Sequence, residues 1–324
     1  MKTLIRTALV AGLLSTSLSA HAAWPERPIT WIVPFAAGGP MDVVSRPVAK
    51  KMSDILGVPI VVENKAGAGG TLGIGQIARS KPDGYTIGIA SVGTQAIATH
   101  INQPAPYDPN KDFTPVGRLG KYTNVLIVNK DSTVKTPSDL VTMAADPKVN
   151  VTFGSAGNGS SNHLSGELLR VLTNAPLTHV PYRGSAPALT DLLGDNITFM
   201  FDTLNTTMGH FQTGALRPIA VTSPERSPFL PDVPTMDEAG IKGYADTGSE
   251  LWWGVVGPAG IPADVLGKLN GALVEALNSD EIKEQFAKQY VEGWPGTPQD
   301  FADVVERSHA KWGKVIKEAN IAPL

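Results

Sequence analysis

Short apolar runs alternate with helical patterns along this chain, and loops of glycine and small polar residues join them repeatedly. The clearest unit is residues 151–172, VTFGSAGNGSSNHLSGELLRVL. Val151, Thr152 and Phe153 are β-branched or aromatic and suit a strand. Gly154, Gly157 and Gly159 permit tight turns and close approach of a ligand to the backbone. Ser160, Ser161 and Asn162 are good N-cap residues, so a helix is predicted to start among them, with His163 in its first turn. The free N–H groups and the dipole of such a start make a seat for an anion. No lysine or arginine lies between Gly154 and His163, so amides and the polar side chains of Ser155, Asn158, Ser160 and Ser161 would hold it. By itself the stretch also fits an ordinary strand-to-helix turn.

The same logic recurs upstream. Residues 29–33 read as a strand and Pro34, Phe35, Ala36, Ala37, Gly38 and Gly39 as a loop. Pro40 opens a helix, in which Val43, Val44, Val48, Met52, Ile55 and Leu56 recur at helical spacing and Pro47 should introduce a kink. Residues 58–63 are a second strand, followed by a glycine-rich segment and a short helix to Arg79. Residues 85–90 are a third, ending in the polar loop Ser91, Val92, Gly93, Thr94 before a helix over 95–101. Three strand-loop-helix units predict an open α/β sheet, whose ligands bind beyond the carboxyl ends of the strands. Further on, residues 104–115 read as loop, and strands are predicted at 124–129, 177–180, 197–201, 216–222 and 252–256. Helices are predicted at 137–145, 262–277 and 301–319, and another follows the loop Tyr182, Arg183, Gly184, Ser185.

Composition narrows the class. Lys2 and Arg6, an apolar run over 8–18 and Ala20-His21-Ala22 form a secretory signal, with cleavage expected after Ala22. No other run is long enough to span a membrane, so no direct membrane insertion is expected. There are no cysteines, which excludes disulfides, thiolate metal sites and a lipid anchor on cysteine. A net charge of -3 gives no argument for nucleic acid. The expectation is an exported periplasmic protein whose mature part, of about 300 residues, suits two domains. Gly73 to Ala78 fits G-x-G-x-x-A, but its strand is too far upstream and no acidic residue follows at the required distance, so no dinucleotide cofactor is expected.

Motifs spread over the chain resemble those of the extracytoplasmic solute receptors of tripartite tricarboxylate transporters, the Bug-type family. They are Trp31-Ile32-Val33-Pro34-Phe35 with Gly38-Gly39, Val62-Glu63-Asn64-Lys65-Ala66-Gly67, Pro82-Asp83-Gly84-Tyr85, the Gly154-to-Leu164 stretch, His179-Val180-Pro181-Tyr182-Arg183-Gly184-Ser185, and Phe201-Asp202. Their order makes the match specific. The resemblance implies a periplasmic-binding-protein (Venus flytrap) fold: two α/β domains, 23–124 with 248–324 and 125–247, joined by crossover strands near 122–125 and 247–252. It implies a monomer that binds a small carboxylate between the domains and hands it to membrane transporter subunits. One carboxylate would sit in the cradle over 154–161, with the Phe35-to-Gly39 loop closing over it, partly through water.

Individual residues carry alternatives. His163 could touch the ligand or serve as a structural hydrogen-bonder, and Asp202 could bind a polar group or cap the next helix. Arg183 could neutralise an anion or stay exposed. Strand alternation should turn Trp252 or Trp253 toward the cleft. Ala36, Ala37, Pro40 and Met41 depart from the family's usual first loop, and Leu251 precedes a tryptophan pair where serine before a single tryptophan is common. These changes predict a less polar pocket, fitted to an aromatic mono- or dicarboxylate above citrate. A hydrolase using Ser155 or Ser160 with His163 or His179 is the alternative; no G-x-S-x-G or H-E-x-x-H is present, the six histidines lack metal-ligand spacing, and neither catalytic residues nor a metal are assigned.

Overall fold

The computed structural model describes residues 24–101, 104, 106–245 and 251–318. The signal segment and residues 247–250 of the return crossing expected near 247–252 lie outside the described residues. Two sheets organise the chain. The first contains β1 (Ile29–Val33), β2 (Ile60–Asn64), β3 (Thr86–Ser91), β4 (Phe113–Tyr122), β10 (Leu251–Pro258) and β11 (Glu292–Gly293), in the order β11-β4-β10-β3-β1-β2. β1 pairs in parallel with β2 and β3, while β10 runs antiparallel between β3 and β4. The second contains β5 (Asn124–Asn129), β6 (Thr152–Ser155), β7 (Thr178–Pro181), β8 (Phe199–Thr203) and β9 (Leu216–Val221), in the order β7-β6-β8-β5-β9. β4 leads into β5 through Thr123 alone, so the chain steps from one sheet to the other there.

The helices follow from local chemistry. α1 (Pro40–Leu56) opens with Pro40 after Gly39, runs as one element across Pro47, and stops at Gly57, whose φ of 73° suits glycine. α2 (Thr71–Ala78) follows the glycine-rich turn. The helix expected over 95–101 begins as a π-helical turn, Gly93–Ile97, before α3 (Ala98–Ile101). α4 (Pro137–Ala144) starts on a capping box between Thr136 and Asp139. α5 (Ser161–Thr173) is capped by Ser160. α6 (Ser185–Leu193) and α7 (Leu204–Gln212) follow β7 and β8. α8 (Ala263–Asn278), α9 (Asp280–Lys288) and α10 (Pro298–Glu318) complete the first lobe.

Strand β4 begins inside the stretch read as loop. Pro115, Gly117 and Gly120 hide it, because proline and glycine are poor in strands. The structure accommodates them at irregularities: the β10 register shifts between Val255 and Val256, opposite Pro115 and Gly117. The first lobe buries Ile29, Trp31, Ile32, Ile87, Val255 and Phe301 in one core, and the second packs separate clusters around Phe153, Phe199 and Phe201 and around Ile127, Leu192 and Met200.

Candidate ligand-binding site

The two lobes meet around a narrow cleft that is partly open to solvent. Phe35, Pro40, Met41, Ser91, Tyr122 and Trp253 line it from the first lobe, and Ala156, Ser160, Ser161, Asn162, Ser185 and Thr203 from the second. These residues cluster where strands end and helices begin. Pro40 and Met41 open α1, Ser161 and Asn162 open α5 after the Ser160 cap, Ser185 opens α6, and Thr203 precedes α7. Four helix starts therefore converge, each carrying about half a positive elementary charge. None of the lining residues is a lysine or arginine.

The side-chain bonds of the cradle determine what it can offer. Ser160 Oγ donates to the Gly157 carbonyl (2.7 Å) and accepts from His163 N (3.2 Å), so that hydroxyl is engaged in capping. Ser161 Oγ accepts from Tyr122 Oη across the lobes (3.2 Å) and keeps its hydrogen. The first-turn amides of Ser161 and Asn162 have no acceptor within the helix. Burial pushes the Tyr122 hydroxyl above the ordinary phenol range, so it stays protonated and can donate. Its ring stacks on Trp253, with centroids 4.1 Å apart.

Beneath the cavity lies Asp202, wholly buried. Its Oδ1 accepts from Asn162 Nδ2 (3.0 Å) and Ser185 Oγ (2.9 Å), and its Oδ2 from Thr206 Oγ1 (2.9 Å). Burial raises its pKa to about 6 against the opposing pull of these bonds. On the facing lobe the Phe35-to-Gly39 loop is braced from behind. Asp42 accepts from Gly38 N (3.0 Å) and Arg46, and Asn64 Nδ2 donates to the Phe35 carbonyl (3.0 Å). Burial raises the Asp42 pKa, but the bonds from Arg46, Gly38 and Asn64 together carry it below the usual carboxylate range.

Of the residues singled out from sequence, Phe35, Met41, Ser91, Ser160 and Ser161 line the cavity. Gly39 precedes α1, while Ala36 packs on Gly184 of the other lobe. Gly38 is exposed. Thr94 lies one layer back, its Oγ1 accepting from Ser91 N (3.0 Å). Gly154 packs against Ile197 and Tyr182 in β6, and Gly159 against Ala98. The Asn158 carbonyl meets Gly69 of the first lobe.

His163 does not line the cavity: its Nδ1 accepts from Gly159 N (3.2 Å), and its ring stacks on His179 at 4.0 Å. Arg183 is exposed, and Asp202 acts through Asn162 and Ser185. Trp252 points away, donating from Nε1 to Ser308 Oγ (2.9 Å), because alternation along β10 gives the cavity to Trp253. Sequence reading missed Pro40, Tyr122, Ala156, Asn162, Ser185 and Thr203 as lining residues, and of the two tryptophans it put forward for the cleft it chose Trp252 rather than Trp253. Position just before or inside a helix start was an available signal for four of them.

Ser155 Oγ lies 2.6 Å from His179 Nε2, the spacing of a nucleophile and base. Ser155 is wholly buried and outside the cavity lining, and burial lowers the His179 pKa to about 4, making it a poor base. Its hydroxyl also accepts from Gly157 N (3.0 Å), which is a turn-bracing role.

Two α/β lobes around a cavity at their junction, linked by a crossing strand, define the periplasmic-binding-protein class. A family model described as "Tripartite tricarboxylate transporter family receptor" matches residues 44–321, and the chain belongs to this family. Among solved structures, the periplasmic binding protein BugD is 35% identical, with a TM-score of 0.87 over 92% of this chain and 99% of that one. MatC from Rhodopseudomonas palustris, solved with bound malate, is 32% identical, with a TM-score of 0.86 over 90% of this chain and 100% of its own. A second R. palustris protein, solved with adipate, is 36% identical, with a TM-score of 0.87 over 93% of this chain and 100% of its own.

Proposed function

We propose that this protein captures a small aromatic or aliphatic mono- or dicarboxylate in the cavity between its lobes and delivers it to the membrane subunits of a tripartite tricarboxylate-type transporter. The observation that carries this reading is the convergence of four helix starts on a cavity whose lining holds no cationic side chain. Such a site holds an anion by directed N–H groups, each helix start contributing about 0.3–1 kcal/mol. Malate and adipate in two structural relatives support the class of ligand.

In the same reading the chain is exported and cleaved after Ala22. It works as a monomer, with domains at 23–124 plus 248–324 and at 125–247. It binds without turnover. Phe35, Met41, Ser91, Ser161 and the α5 amides touch the ligand, and Trp253 takes the place foreseen for Trp252.

The test is calorimetric titration of the mature protein with benzoate, benzene-dicarboxylates, succinate, malate, adipate and citrate, beside their neutral amides. Binding of at least one acid, with no binding of its amide and no turnover of ester substrates, is the expected result. Silence toward every acid would overturn the proposal.

A further inference from the structure

The cavity's polar groups are not interchangeable. Asn162 Nδ2 gives one hydrogen to the Phe201 carbonyl (2.8 Å) and the other to Asp202 Oδ1 (3.0 Å). A carbonyl and a carboxylate can only accept, so the amide orientation is fixed and Asn162 Oδ1 is left on the cavity side. Ser185 Oγ gives its only hydrogen to the same Asp202 oxygen (2.9 Å). What it can still offer the cavity is lone pairs. Both residues line the cavity and both are nearly buried, at 5% and 2% exposure. No protein donor reaches either free acceptor among the described residues. Asp202 thus converts two ordinarily ambivalent side chains into a pair of acceptors, and its buried charge opposes a second carboxylate at that spot.

We propose that Asn162 and Ser185, positioned by Asp202, select a ligand bearing a hydrogen-bond donor, hydroxyl or ammonium, on the carbon beside its carboxylate. This rests on the carboxylate reading above. The carboxylate takes the Ser161 and Asn162 amides and the Ser161 hydroxyl, and the neighbouring donor takes the acceptor pair. A ligand with only a methylene there leaves two desolvated acceptors unpaired, and sites built around such a bond reject the analogue lacking it.

Matched ligand sets test this by calorimetry on the mature protein: succinate, malate and aspartate; adipate, 2-hydroxyadipate and 2-aminoadipate; phenylacetate, mandelate and phenylglycine. In the set whose body fits, the hydroxy or amino acid should bind at least about ten-fold tighter than the unsubstituted parent. The hydroxy and amino arms show which donor is preferred. Ser185→Ala, at a helix position that tolerates alanine, should bring that ratio toward one. Asp202→Ala removes the acceptor of the Ser185 hydrogen and should do the same if the variant folds. Equal affinity for parent and substituted acids, or a preference untouched by Ser185→Ala, overturns the donor selection and leaves carboxylate capture standing. Failure of every acid in all three sets overturns both.

Discussion

Ser160 and Ser161 are neighbours of one residue type with different duties. Ser160 is the N-cap of α5, and both its hydroxyl bonds are internal; Ser161 meets Tyr122 and keeps a hydrogen for the cavity. Ser160→Ala should lower stability by about 1 kcal/mol, read as a shift in melting temperature. Ser161→Ala removes the acceptor of the Tyr122 hydroxyl, so it should cost about 1 kcal/mol as well, but it should also weaken ligand binding several-fold in calorimetry, which Ser160→Ala should not. The opposite pattern would reverse the assignment. A second residue-scale prediction concerns pH. Burial, the neighbouring His179 and Arg170 lower the His163 pKa to about 3, and burial lowers that of His179 to about 4. Both pKa values lie below the unfolded value near 6.5, so their contribution is full above that pH and is lost as pH falls through about 4 and 3. Asp202, raised to about 6, acts in the opposite sense: its contribution is present below its unfolded value and lost as pH rises through about 6. Two histidines against one aspartate should leave the apo protein less stable at pH 4 than at pH 7, and His179→Gln should flatten that slope in thermal melts. The sequence made the cradle legible through its glycines and cap residues. It could not show Asn162 or Ser185 as a pair, because only their bonds to Asp202, 40 and 17 positions away, bring them together.

At the level of elements, the strand-loop-helix units were readable because apolar runs and N-cap chemistry are local. Strand β4 was not, since its proline and glycines fit only against the register shifts of a distant β10. The loops between units also form the seam that closes the cavity. A Cβ at Gly69 would overlap the Asn158 carbonyl, and one at Gly93 would stand 3.0 Å from the Gly159 carbonyl and 3.1 Å from Ser161 N. Gly93 sits in a helical turn, where alanine is intrinsically better than glycine by about 1 kcal/mol. Gly93→Ala should therefore leave the first lobe at least as stable while opposing closure. Gly69→Ala, at a φ of 63°, should oppose closure more strongly and cost the lobe some stability as well. Both variants should lose ligand affinity, by about ten-fold or more for Gly69→Ala. Wild-type affinity in both would show that the lobes need not meet so closely to hold the ligand.

For the whole molecule the question is what the closed arrangement costs and what maintains it. Among the described residues the lobes are tied by the Thr123 step and by few polar bonds: Tyr122 to Ser161, Asn205 Nδ2 to the Pro40 carbonyl (3.2 Å) and Gln212 Nε2 to Tyr290 Oη (3.2 Å). Each such bond contributes about 1 kcal/mol net. The seam brings the starts of α1 and α5 together, and these repel one another electrostatically when no anion lies between them. A bound carboxylate reverses the sign of that term, so it interacts better with the closed arrangement than with the open one and shifts the population toward it. Small-angle scattering on the mature protein should therefore show a smaller radius of gyration with a bound acid than without, and Gly69→Ala should keep the larger value at ligand concentrations that close the wild type. Raising salt should narrow the difference between apo and bound forms, because screening weakens the repulsion that opens the empty cavity. Identical scattering of the empty and saturated wild type at low salt would mean that packing across the seam, rather than the anion, holds the lobes together.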